Sequence, residues 1–196
     1  GRKADRREYA LQHVVERLTN RELTNVGLED ELREIVHESR GVQTDRVDQL
    51  FQEATCIDLE GERSVEELFA SVADRLAEPT GQSAETIRRK LMERENDSST
   101  ALSPFIAVPH LVLPCRGGFH LGFVRSSTGI WFSEAAPGVQ AVFVLVGSQE
   151  LRTLHLQTLA AIAQVSQDEK FDDRWLSVRK ESQLRDVVLL SHRRRT

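Results

Sequence analysis

The chain has 196 residues, a formal net charge of −5, 39% hydrophobic and 29% charged residues, which suits one well-packed domain with an appendage and excludes two large domains. The composition also excludes a disordered chain, and an acidic balance without a basic, aromatic-interleaved stripe excludes nucleic acid as a partner. No run approaches the roughly 18 apolar residues of a membrane span, and two distant cysteines, Cys56 and Cys115, with no signal-peptide pattern point to a reducing, cytoplasmic setting.

Leu11, Val14, Val15 and Leu18 follow a basic start at helical spacing, so the pattern predicts a helix from about Asp5 to Leu18. Leu28, Leu32, Ile35 and Val36 predict a second, over Leu28 to Glu38, with Gly41 as its left-handed stop. Residues 1–44 then form a helical appendage, read as a charged linker or a membrane-proximal tether, and its amphipathic faces admit a homodimer. From residue 45 to 196 the pattern is that of one domain.

Thr55 to Leu59 reads as a short strand ending at Gly61. Ser64 and Glu67 form a capping box ahead of Val65, Leu68, Phe69, Val72 and Leu76, with Pro79 and Gly81 as the stop. Ser83 caps a further helix through Ile87, Leu91 and Met92 to Glu93, broken by the polar run Asn96 to Thr100. Phe105 to Val108 and Val112 to Leu113 predict two short strands around a bend at Pro109 and His110. Phe119 to Arg125 and Ile130 to Phe132 predict a hairpin turning at Thr128-Gly129. Val139 to Val146 is nearly continuous apolar, as for a central strand buried on both faces. Helical patterns follow around Leu154 to Val165, Phe171 to Val178 and Leu184 to Leu190. The order of elements predicts an α/β fold: one layered domain with a mixed central sheet flanked by helices, preceded by the two N-terminal helices.

The chemistry centres on His110, with three constellations in contention. Phosphoryl transfer through an imidazole needs a ring held by its second nitrogen, an arginine fork as clamp and a supporting proton partner, and Arg94 and His155 are candidates. A zinc site would take His110, Cys115 and His120, but the set lacks a close ligand pair and a fourth ligand, so no metal is expected. A binding module without phosphotransfer would use the Arg94 and His110 region to sense an anion or nucleotide. No Gly-x-Ser-x-Gly elbow, phosphate-cradling glycine loop or dinucleotide fingerprint is present, and no cofactor is expected.

Leu91-Met92-Glu93-Arg94-Glu95, then Thr100, then Ile106-Ala107-Val108-Pro109-His110 resembles the active-site signature of the fructose/mannitol-type enzyme IIA domains of the sugar phosphotransferase system, the nitrogen-regulatory enzymes IIA among them. Cys56-Ile57-Asp58-Leu59 resembles that family's opening strand, Leu154-His155-Leu156 resembles its second-histidine segment, and the likeness covers roughly Asp48 to Leu190. The resemblance implies His110 as phosphoryl carrier, Arg94 as clamp, His155 as supporting imidazole, and Arg94, Thr100 and His155 around the phosphoryl group. It further implies an HPr-like phosphocarrier protein as donor, and an enzyme IIB or an attached membrane transporter as acceptor. Two features depart from it. Leu111 stands where the family has Gly or Ala, so a bulky side chain is expected to narrow access to His110, and the N-terminal helices resemble a segment joining such domains to transporters.

Overall fold

The structure is a computed structural model that describes residues 46–116 and 118–193, so the two helices expected before residue 45 lie outside the described residues. Five strands make one sheet: β1 (Thr55–Leu59), β2 (Ile106–Ala107), β3 (His110–Val112), β4 (Phe119–Ile130) and β5 (Val139–Gly147), in the order β1-β4-β5-β2 with β3 also on β5. β1 runs parallel to β4, β4 is antiparallel to β5, and both β2 and β3 are parallel to β5. The sheet is therefore mixed, and β5 is central as its apolar run requires.

Two expectations about strands are corrected. Ile106 pairs with Ala141 and His110 with Leu145, so β2 and β3 keep the same offset and form one line along β5 rather than two strands around a bend. Pro109 interrupts that line because it has no N–H to donate, yet its carbonyl still accepts from the Leu145 N–H at 3.0 Å. Nor does the chain turn at Thr128-Gly129. β4 continues to Ile130, with the pairing register shifting between Arg125 and Ile130, and the reversal falls between Ile130 and Val139. Gly129 is needed inside the strand: its φ is +83°, and a Cβ there would lie 3.0 Å from the Gly138 Cα.

The alternation of strand side chains splits the core into two layers. Phe119, Leu121 and Phe123 with Ala141, Phe143 and Leu145 face α1 (Arg46–Glu53), α4 (Arg152–Val165), α5 (Phe171–Ser177) and α6 (Leu184–Leu190). Val142, Val144, Val146 and Val124 face α2 (Val65–Thr80) and α3 (Ala84–Asp97). α1, absent from the sequence reading, contributes Val47 and Phe51 to the first layer.

Ser64 and Glu67 close the expected capping box on α2. Pro79 does not end α2, which runs on to Thr80 and is closed by Gly81 in the left-handed conformation at φ 70°. α3 likewise passes Glu93 and ends at Asp97, which makes Arg94 a last-turn residue. Among the described residues no helix is long and apolar enough to cross a membrane.

Candidate functional site

His110 opens β3, and its side chain stands on the layer that holds α4, because it lies opposite Leu145 of that layer. Its Nδ1 is 2.8 Å from the Val108 carbonyl oxygen, an atom that only accepts, so Nδ1 carries the proton and donates. Nε2 is left with its lone pair. A main-chain carbonyl two residues back thus selects both the tautomer and the plane of the ring.

His155 comes from the second turn of the long helix α4. Its ring meets His110 edge-on, with centroids 5.6 Å apart and planes at 72°, and meets Phe119 in the same manner at 5.7 Å. It is only 8% exposed, and burial first, then the neighbouring His110, pushes its pKa below the ordinary imidazole value. The ring is neutral at neutral pH. Its Nδ1 is buried without a hydrogen-bond partner, which a lone pair tolerates better than an N–H, so the proton belongs on Nε2.

Room for this ring is made by Gly147 at the end of β5. A Cβ there would come within 2.8 Å of Phe119 Cδ2 and 3.5 Å of His155 Nδ1.

Arg94 is hydrogen-bonded to the loop after its own helix. It leaves α3, whose buried Ile87 and Leu91 pack in the opposite layer, and its Nη1 donates to the Ser98 carbonyl at 3.0 Å and to Ser98 Oγ at 3.1 Å. The segment that follows leads to the histidine by a relay of three hydrogen-bonded links. Glu95 accepts both the main-chain N–H and the hydroxyl of Thr100, the Thr100 carbonyl accepts from the Val108 N–H at 2.9 Å, and the Val108 carbonyl holds His110. Thr100 is buried and its hydroxyl proton is given to Glu95. Structure thus joins His110 to His155 by ring contact and Thr100, braced by the Glu95 carboxylate, to His110 through the Val108 main chain, while Arg94 is tied to Ser98.

Glu95, Phe119 and Gly147 were missed in the sequence. Glu95 stands inside the signature beside Arg94 and was the one within reach of sequence reasoning.

The expected obstruction by Leu111 does not occur. Successive strand residues point to opposite faces, so Leu111 turns away from His110 into the layer under α2 and α3, where it is 7% exposed opposite Val146. His120 is engaged separately, its Nε2 on the Arg116 carbonyl, and among the described residues no three His, Cys, Asp or Glu side chains gather as a metal site.

The sequence model of the family described as phosphoenolpyruvate-dependent sugar phosphotransferase system, EIIA 2, matches residues 50–190. The chain belongs to this family. A nitrogen regulatory protein of Bradyrhizobium diazoefficiens is 29% identical over 129 residues, which are 65% of this chain and 84% of that protein. Among solved structures, the nitrogen regulatory protein IIA-Ntr from Neisseria meningitidis superposes with a TM-score of 0.65 at 19% identity, over 74% of this chain and 99% of that one. Enzyme IIAMTL of Escherichia coli, solved in complex with phosphorylated enzyme IIBMTL, gives 0.54 at 17% identity over 67% and 92%. The mixed α/β architecture is that of the EIIA type 2 fold. The matched range includes α3, the loop after it, and β2 to β3, the elements that carry Arg94, Thr100 and His110.

Proposed function

We propose that residues 45–196 are a histidine phosphocarrier domain in which His110 accepts a phosphoryl group from an HPr-like phosphohistidine. The single observation that carries this reading is the lock of Nδ1 on the Val108 carbonyl, which leaves Nε2 as an oriented nucleophile beside a neutral second imidazole. In the transfer, the donor's N–P bond breaks as a bond forms from His110 Nε2 to phosphorus, and the electron pair stays with the donor imidazole. His155, with its proton on Nε2, donates to a phosphoryl oxygen. Among the described residues Arg94 uses Nη1 on Ser98, which leaves Nε and Nη2 for the same group. Thr100 holds the loop against Val108 and borders the anion.

Exposed apolar side chains support a protein rather than a small molecule as the partner: Val112 is 57% exposed two residues from His110 on the same face, and Leu156 is 56% exposed beside His155. The acceptor is an enzyme IIB, as in the complex of the mannitol neighbour, or a membrane transporter to which the chain is tethered in the cytoplasm by its first 44 residues, a segment that also serves dimerisation.

The likeness to nitrogen regulatory proteins favours a regulatory role, and the second reading is a domain that senses an anion or nucleotide for a permease without taking phosphate. The test is incubation with a phosphorylated HPr-like protein from the same organism. The carrier gains one acid-labile phosphate that His110→Gln does not, and an unlabelled wild-type chain with a competent donor leaves only the regulatory reading.

A further inference from the structure

The opposite edge of the sheet carries a second concentration of charge. Thr55, Cys56, Arg75, Glu181, Ser182 and Arg185 line a pocket of about 240 Å³ beside β1. Three strand steps separate β1 from β3, about 14 Å at the usual spacing, so the pocket is separate from the His110 site.

Part of this cluster protects the edge strand, whose outward main-chain groups would otherwise be free. Arg185 Nε donates to the Ala54 carbonyl at 2.7 Å, Arg75 Nη2 to the Cys56 carbonyl at 3.3 Å, and the Asp58 N–H to Glu181 at 3.3 Å. Edge protection uses Nε of Arg185 and Nη2 of Arg75, and among the described residues no other main-chain carbonyl takes a donor from either guanidinium. Arg185 is half-buried and forms no ion pair among the described residues. The carboxylate that lines the pocket is held loosely, with Glu181 3.8 Å from Arg75. Cys56 does not supply the missing negative charge, because burial pushes its thiol up despite Arg185 alongside.

The pocket thus holds two guanidiniums against one weakly held carboxylate, with the hydroxyl-bearing residues Thr55 and Ser182 among its lining. Planar forks of this kind match phosphate oxygens in pairs, and hydroxyls match the alcohol groups of a short polyol. Its volume lies below the range of pockets that enclose drug-sized ligands, which excludes a whole nucleotide.

We infer that the β1-edge pocket binds a small hydroxylated phosphomonoester, with Glu181 as an internal stand-in that the phosphate displaces. This inference stands apart from the phosphocarrier reading and survives its failure. Calorimetric titration of the full chain with glycerol 3-phosphate tests it, with inorganic phosphate and succinate as comparison ligands. Saturable binding is expected, weakened about tenfold or more in Arg185→Gln, tightened in Glu181→Gln where the competing charge is gone, and kept in His110→Gln. Thermal melting of each variant shows that it is folded, and Glu181→Gln carries the test alone if Arg185→Gln is not.

Absence of binding overturns the inference, as does binding lost in His110→Gln but kept in Arg185→Gln, which would place the anion at the histidines. Succinate or inorganic phosphate binding as tightly as glycerol 3-phosphate overturns the assigned ligand class.

Discussion

Along the β3 edge the main chain itself orients the group that matters, whereas along the β1 edge long side chains reach in to cover the main chain. His110 hangs from the Val108 carbonyl and leans on a buried ring that Gly147 and Phe119 seat. Arg75 and Glu181 are about half exposed and meet at 3.8 Å. A group fixed by backbone and packing has little freedom to adapt, so substitutions around it are costly. Half-exposed side chains held by long contacts of 3.3–3.8 Å can re-aim toward a ligand, and their loss costs the fold little. The difference fits a site for covalent transfer at one edge and reversible binding at the other.

The comparison breaks first at Leu111. Because the side chain is core, Leu111→Ala is expected to destabilise the domain by about 2–5 kcal/mol in chemical denaturation, with no gain in the rate of phosphoryl acceptance. Faster labelling in a fully stable variant would return Leu111 to the mouth of the site. Next comes Gly147→Ala, where the new methyl group meets Phe119 at 2.8 Å. It should cost about 1–3 kcal/mol and shift the imidazole resonances of His155 in NMR spectra. An unperturbed His155 would mean that Phe119 does not seat it.

Glu95→Ala removes the acceptor behind Thr100, and through Val108 it should slow phosphoryl acceptance about tenfold while leaving α3 folded. Glu95→Gln, which keeps one acceptor oxygen, should restore part of that rate in single-turnover labelling. Equal losses in both variants would assign the effect to charge rather than to positioning.

Acidification has a smaller effect, and its sign follows from His155. Its folded pKa is depressed, so the proton binds the unfolded chain more readily. Stability from this group is present above the ordinary imidazole value of ~6.5 and falls as the pH drops through it, by at most ~1.4 kcal/mol per pH unit. His155→Phe should flatten that part of the stability profile, and an unchanged slope would place the titration elsewhere. Smallest of all is Arg75→Ala at the β1 edge, where an exposed pair is worth about 0–1 kcal/mol in denaturant unfolding. A loss as large as that of Leu111→Ala would show both edges to be equally rigid.

What could be read in the sequence was what short-range chemistry decides. Ser64 with Glu67, Gly81 after α2 and the apolar run of β5 each announce themselves within a few residues. α1 did not, because in its 8 residues only Val47 and Phe51 are buried apolar positions, and its burial depends on partners such as Phe123 and Arg193 far along the chain. The Thr128-Gly129 pair looked like a turn because its residues suit one, but the irregularity in β4 absorbs it without reversing the chain.

At the site, the Pro109-His110 and Arg94 signature was legible as a pattern of residue types. The contacts that tune it were not. Gly147 against Phe119 and His155 spans the sheet and a helix, and no local spacing encodes it. The orientation of Leu111 was derivable from strand alternation once His110 was placed inside β3 rather than in a bend.

The central claim is that His110 is held with its proton on Nδ1 so that Nε2 takes the phosphoryl group. Long-range proton–nitrogen NMR of the imidazoles, recorded before and after incubation with a phosphorylated HPr-like protein, tests it in one experiment. The expected result is a proton on His110 Nδ1 in the free domain, then phosphorus coupled to Nε2 of that same ring. A proton on Nε2 in the free domain, or phosphorus on Nδ1 or on His155, would contradict it.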